Sequence, residues 1–278
     1  MTFTSRQIVA LLIGICTLPA VFCSGCDRID NNPSPATGKP PADRAVSVAA
    51  AADLKYALDE IAAEFQKGHP AIKVNLTYGS SGNFYSQLSN KAPFDIFFSA
   101  DIEYPKKLIA AGLAVKDSQF SYAVGRIVVW VPKDSAIDVE KLGIESLAQP
   151  SVKKIAIANP EHAPYGRAAE AAMKKLGVYD RVKDRLVLGE NIAQTAQFVE
   201  TGAADVGIIA LSLATAPALK DKGKYWSVPL DAYPTLEQGG VILSSAKDAE
   251  ATEQFKEFVI GPDGRAILKR YGFTLPAE

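Results

Sequence analysis

Four places in the chain share one design: an apolar strand-length run ends, small or polar residues follow, and a helical pattern begins. The junctions are Ala51-Ala52-Asp53, Gly79-Ser80-Ser81-Gly82, Ala163-Pro164-Tyr165-Gly166 and Glu190-Asn191-Ile192. The runs AVSVAAA at 45–51, IKVNLTY at 72–78, FDIFFSA at 94–100, IVVWV at 127–131, KIAIA at 154–158, LVL at 186–188, VGIIA at 206–210 and GVILS at 240–244 have the length and patterning of strands. After the first junction, Leu54, Ala57, Leu58, Ile61, Ala62 and Phe65 recur at helical period. Asp53 is expected to cap that helix, and Gly68 and Pro70 to end it. Further helices are expected up to Leu88, over 104–111, from Tyr165, from Ile192, and over 249–259 and 265–271. Strands alternating with helices imply an α/β fold with largely parallel sheets. Two such sheets separated by a cleft would bring the junctions face to face, at the carboxyl ends where open α/β sheets bind ligands.

These junctions carry chemistry as well as topology. A helix N-terminus exposes N–H groups without intrahelical acceptors and a partial positive charge. Several N-termini aimed at one point bind an anion without any Lys or Arg. Local geometry has to do this work, because the formal net charge is −1 and attracts no anion. That balance also excludes the basic footprint of a nucleic-acid binder. The three cysteines are Cys16, Cys23 and Cys26, so the body has no thiol for a disulfide, a nucleophile or a metal. With only His69 and His162 besides, a His-rich metal site is out of reach. No cofactor is expected.

Residues 1–26 read as an export signal. Arg6 supplies the positive start, 8–21 is almost wholly apolar, and small residues follow. Ser24-Gly25-Cys26 resembles a bacterial lipobox, with Cys23 where an aliphatic residue is usual. It implies a lipid on Cys26; cleavage to a free periplasmic protein is the alternative. Residues 27–44, rich in Pro, Asn and Asp, read as a flexible linker.

The stretches AAAADLKYAL, YGSSGNFYSQL, APFDIFFSAD, AIANPEHAPYGRAA, GENIAQTAQFVETGAADVGIIALS and GPDGRAILKRYGF resemble the periplasmic molybdate-binding proteins of ABC uptake systems. The resemblance implies a type II periplasmic-binding fold of two α/β lobes, with residues 45–123 and 236–278 forming one and 124–235 the other. It implies a non-catalytic monomer that captures molybdate or tungstate and docks on an inner-membrane ABC permease. The protein would be periplasmic or in the cell envelope, touching the membrane only through a lipid anchor. Carried across, Ser81 would donate its hydroxyl and N–H to the oxyanion. Ala52 and Asp53 would form the first ligand loop, and Tyr165 and Ile192 would give backbone N–H groups. Molybdenum would enter only as the centre of the oxyanion, held through its oxygens by these same residues. A tyrosine hydroxyl found in some members is replaced by Ala210.

Asp53 departs from the family pattern, because a carboxylate facing a dianion repels it. Besides the capping role, Asp53 could accept a proton from hydrogen phosphate or arsenate, which gives an alternative ligand class. An exported hydrolase built on Ser81 lacks a neighbouring base and any GxSxG or HExxH pattern. His162 reads as a surface loop residue, Arg126 and Arg167 as solvated charges, and Trp130 and Trp226 as packing residues.

Overall fold

The structure, a computed structural model, describes residues 44–276. The signal segment, Cys26 and the linker up to residue 43 lie outside the described residues. Strand β1 (Arg44–Ala51) begins one residue inside the stretch read as linker. Arg44 is held there by Asp248, with Nε 2.6 Å and Nη2 2.9 Å from its two carboxylate oxygens. The guanidinium holds the Asp248 carboxyl down at about 2.

The strands β2 (Ile72–Gly79), β3 (Ile96–Ser99), β4 (Phe120–Gly125), β5 (Ile127–Pro132), β6 (Ile155–Ala158), β7 (Leu186–Gly189), β8 (Val206–Ala210), β9 (Gly223–Ser227) and β10 (Leu236–Ile242) complete the set. They form two five-stranded sheets, ordered β2-β1-β3-β10-β4 and β7-β6-β8-β5-β9. In the first, β10 runs against both its neighbours; in the second, β5 does. The other pairings are parallel. Each sheet is therefore mixed rather than largely parallel, for a topological reason. The chain leaves the first sheet after β4, enters the second as β5, and returns from β9 into β10. The reversed strand of each sheet is the one entered from the other sheet.

Helices α1 (Lys55–Gly68), α2 (Ser81–Ser89), α3 (Glu103–Ala110), α4 (Val139–Leu142), α5 (Pro164–Lys175), α6 (Tyr179–Val182), α7 (Ile192–Glu200), α8 (Leu211–Ala214), α9 (Ala249–Ile260) and α10 (Pro262–Arg270) cover the sheets. Alternation along β1 shows the layering. Val46, Val48 and Ala50 pack with Leu58, Ile61 and Phe65 of α1, Phe255 of α9 and Leu268 of α10. Ala49 packs on the opposite face with Phe84 and Leu88 of α2 and Leu108 of α3. A central sheet with helices on both faces follows from that period of two. A separate apolar core surrounds β5, β6 and β8.

Two crossings join the lobes. Only Arg126 separates β4 from β5. The return passes through a short 3-10 turn at Leu230–Ala232 before β10. Tyr233 on the return accepts the Ile127 N–H at 3.4 Å, so the crossings touch. Strand β10 starts four residues before the run read from the sequence, which places Gln238 inside the sheet at zero exposure.

Candidate functional site

The carboxyl ends of β1, β2, β3, β6 and β7 converge between the lobes. One small cavity there is lined by Ala51, Ala52, Asp53, Gly79, Ser80, Ser81, Ala100, Ala163, Pro164, Tyr165 and Ile192. All five residues singled out from the sequence for a ligand, Ala52, Asp53, Ser81, Tyr165 and Ile192, line this one space. No Lys, Arg or His is among the lining residues. The space between the walls is about 190 Å³, of which about 10 Å³ is open to the centre of a water molecule. Larger grooves flank it, one along Lys55, Tyr56 and Glu200, the other along Asp101, Arg167 and Glu237.

The first-turn N–H groups of three helices decide what the cavity offers. In α7, Asn191 caps the helix by accepting from Ala193 and Gln194, both at 3.0 Å. The N–H left over is that of Ile192, which has no acceptor in its own helix. In α5, Pro164 has no N–H, and Gly166 and Arg167 bond to Ala163 O at 3.0 and 3.1 Å. The N–H left over is that of Tyr165. In α2, Gly82 N–H crosses to His162 O at 2.9 Å and Phe84 N–H returns to Ser80 O at 3.1 Å, which leaves the N–H groups of Ser81 and Asn83, and only Ser81 lines the cavity.

Side chains add to this set. Ser81 Oγ accepts the Ala100 N–H at 2.9 Å, so its own proton is free to donate elsewhere. Ser80 precedes α2 without capping it. Its hydroxyl is buried with no hydrogen-bond partner among the described residues. Sequence reasoning named Ser81 and passed over Ser80, although the GSSG turn offered both.

Asp53 does not cap a helix. Neither the 3-10 turn at Ala52–Leu54 nor α1 has a side-chain cap. Its Oδ2 instead accepts from Tyr165 Oη at 3.0 Å and Gln238 Nε2 at 2.8 Å, and Gln238 Nε2 also lies 2.9 Å from Tyr165 Oη. Asp53 is 1% exposed, and its partners are the phenol of the second lobe and an amide of β10 in its own sheet. Burial pushes its carboxyl up to about 6, against the pull of the Gln238 and Tyr165 hydrogen bonds and of its own backbone N–H. Burial and the nearby Asp53 also hold the Tyr165 phenol well above its ordinary range. Gln238 is invisible to pattern reading, because it and Glu237 precede the apolar run of the strand.

Further contacts close the lobes around the cavity. Ser212 Oγ in the second lobe donates to Asp53 O at 2.8 Å. Arg167, read as a solvated charge, pairs with Asp101 across the cleft at 2.7 Å, its side chain 40% exposed. His162 ties the same edge through its carbonyl, while its Nε2 lies 3.0 Å from Glu190 O. Trp130 is buried in β5. Ala210 is fully buried before α8.

The model of the bacterial extracellular solute-binding proteins matches residues 46–274. The chain belongs to that family. As a solute-binding protein it is 40% identical over 232 residues to the molybdate-binding protein ModA of Azotobacter vinelandii, across 83% of this chain and 90% of that one. It is 36% identical over 237 residues to ModA of Rhodobacter capsulatus, across 84% of this chain and 90% of that one. The solved periplasmic molybdate-binding protein of Azotobacter vinelandii superposes with a TM-score of 0.78 at 34% identity, covering 84% of this chain and 100% of that one. The two-lobed type II binding-protein fold expected from the sequence is the fold of this solute-binding protein.

Proposed function

We infer that this chain is the substrate-binding component of an ABC transporter and captures molybdate for uptake. One observation carries the reading: a small inter-lobe cavity has leftover N–H groups of three helices and the Ser81 hydroxyl around it, with no basic residue in its lining. The 40% identity to a molybdate-binding protein names the anion. Ser81, Tyr165 and Ile192 donate to the oxyanion, and Ala52 and Asp53 close the first-lobe side. Each hydrogen bond to a charged partner contributes about 1.5–3 kcal/mol, so a handful offsets much of the lost hydration. Molybdenum is reached only through the oxygens of its anion.

The protein works without catalysis, as a monomer on the periplasmic side, and hands its anion to a membrane permease. Cys26 carries a lipid that tethers it through the linker. Among the described residues no helix is long and apolar enough to cross a membrane. Phosphate or arsenate as the ligand is not favoured, since the ModA relatives are named for molybdate.

Selectivity follows from cavity size and from the cost of unpaired donors around an ill-fitting anion. Calorimetric titration of the mature protein tests the reading. Tight binding of molybdate and tungstate with weak binding of sulfate is expected. Equal affinity for sulfate, or no binding of molybdate, overturns it.

A further inference from the structure

We propose that Asp53 is a hydrogen-bond donor to the captured dianion, neutral in the complex with its proton on Oδ1, so that capture takes up one proton from solution. The inference rests on the reading of the chain as an oxyanion-binding protein and assigns a specificity-determining role within that site.

The geometry decides where such a proton sits. Oδ2 already receives the Tyr165 hydroxyl at 3.0 Å and the Gln238 amide at 2.8 Å. The Gln238 Nε2 that lies 2.9 Å from Tyr165 Oη makes the phenol oxygen an acceptor, which directs the phenol's own proton to Asp53. A proton on Oδ2 would meet two donors and no acceptor. The remaining oxygen, Oδ1, is buried and has no hydrogen-bond partner among the described residues, and Asp53 lines the cavity. Ionised, it sets a negative charge against a dianion in a low-dielectric site, where repulsion is strong. Protonated, it becomes one more donor in a ring of donors.

The groups around Asp53 leave this switch open. Tyr165 faces it from α5, Gln238 from β10 and Ser212 from α8. Tyr122 on β4 is close enough for Asp53 to oppose its ionisation, and its phenol donates to Ser99 O at 3.0 Å. No Lys, Arg or His is among these partners to hold the carboxylate charged, and burial brings the carboxyl up to about 6. A dianion beside it moves it further in the same direction. A neutral carboxyl donates best to basic oxygens, and those of molybdate and tungstate are more basic than those of sulfate. The device therefore discriminates by basicity as well as by size. Hydrogen phosphate brings its own proton and can donate it to an ionised Asp53, with no uptake.

The test is calorimetric titration with molybdate at pH 6 and pH 8, in buffers of contrasting ionisation enthalpy. With the free carboxyl at about 6, uptake approaches one proton per anion at pH 8 and about half that at pH 6, and affinity falls roughly 50-fold between the two. In Asp53→Asn the amide oxygen accepts from Tyr165 and Gln238 and the amide N–H faces the anion. Binding is then free of proton uptake, independent of pH, and tighter than wild type at pH 8. Wild-type molybdate binding without buffer dependence overturns the proposal and leaves the molybdate reading standing. So does weaker binding by Asp53→Asn at pH 8. Phosphate bound without uptake in place of molybdate makes Asp53 an acceptor and overturns both, as does the absence of molybdate binding at either pH.

Discussion

Tyr165 and Asp53 meet across the cleft, the phenol of the second lobe donating to the carboxylate of the first at 3.0 Å. Both belong to the wall of the anion cavity. The two lobes are therefore in direct contact at the wall of the site.

Tyr165→Phe removes this bond and leaves the backbone N–H of residue 165 in place. A hydrogen bond of this kind contributes about 0.5–1.5 kcal/mol. Molybdate affinity is expected to fall roughly 2- to 15-fold without being abolished, as read by calorimetry. Complete loss would show that the phenol itself, rather than the N–H, carries the contact.

Ser81→Ala removes the hydroxyl that donates to the anion and accepts the Ala100 N–H at 2.9 Å. A donor to a charged group is worth about 1.5–3 kcal/mol, so affinity should drop roughly 10- to 150-fold. Circular dichroism should show an intact fold, because the helix dock and core remain. An effect under twofold would place the anion elsewhere.

Much of this was legible before the fold was known. Helical period placed Ala57, Leu58, Ile61, Ala62 and Phe65 on the buried face of α1, and all five are buried. Strand-then-helix alternation gave the α/β layers, because burial on two faces demands continuous apolar runs. The strands that escaped, β4 and β9, are each an edge strand of their sheet. With one neighbour and partial exposure, Gly223–Ser227 keeps no such run. Ser81 and Ile192 stood out because cap and turn chemistry is local. Gln238 did not, since its role depends on Asp53, 185 residues away in sequence. For the same reason Asp53 read as a helix cap, when its partners come from β10 and the other lobe.

Gly125→Ala tests how tightly that group is packed. A Cβ at Gly125 would collide with the Tyr165 hydroxyl and lie 2.6 Å from Gln238 Nε2. Overpacking of this kind costs about 1–3 kcal/mol. Urea denaturation should show that loss, and anion affinity should fall with it as the phenol and amide are displaced.

Asp53 also makes stability depend on pH. Its carboxyl is raised from 3.8 to about 6 in the folded protein. Between those values the folded chain binds more protons than the unfolded one, so stability falls as pH rises through that window and levels off above it. The full loss at pH 7 is up to about 3 kcal/mol. Asp53→Asn is expected to recover most of it at pH 7 and to gain nothing near pH 3, measured by urea denaturation at both.

The most direct measurement is anomalous diffraction at the molybdenum edge, from crystals of the mature protein grown with molybdate. One peak is expected inside the cavity, the oxygens around it within hydrogen-bonding distance of Ser81 Oγ and the N–H groups of Tyr165 and Ile192. A peak outside that cavity, or a molybdenum bonded directly to a carboxylate, would contradict it.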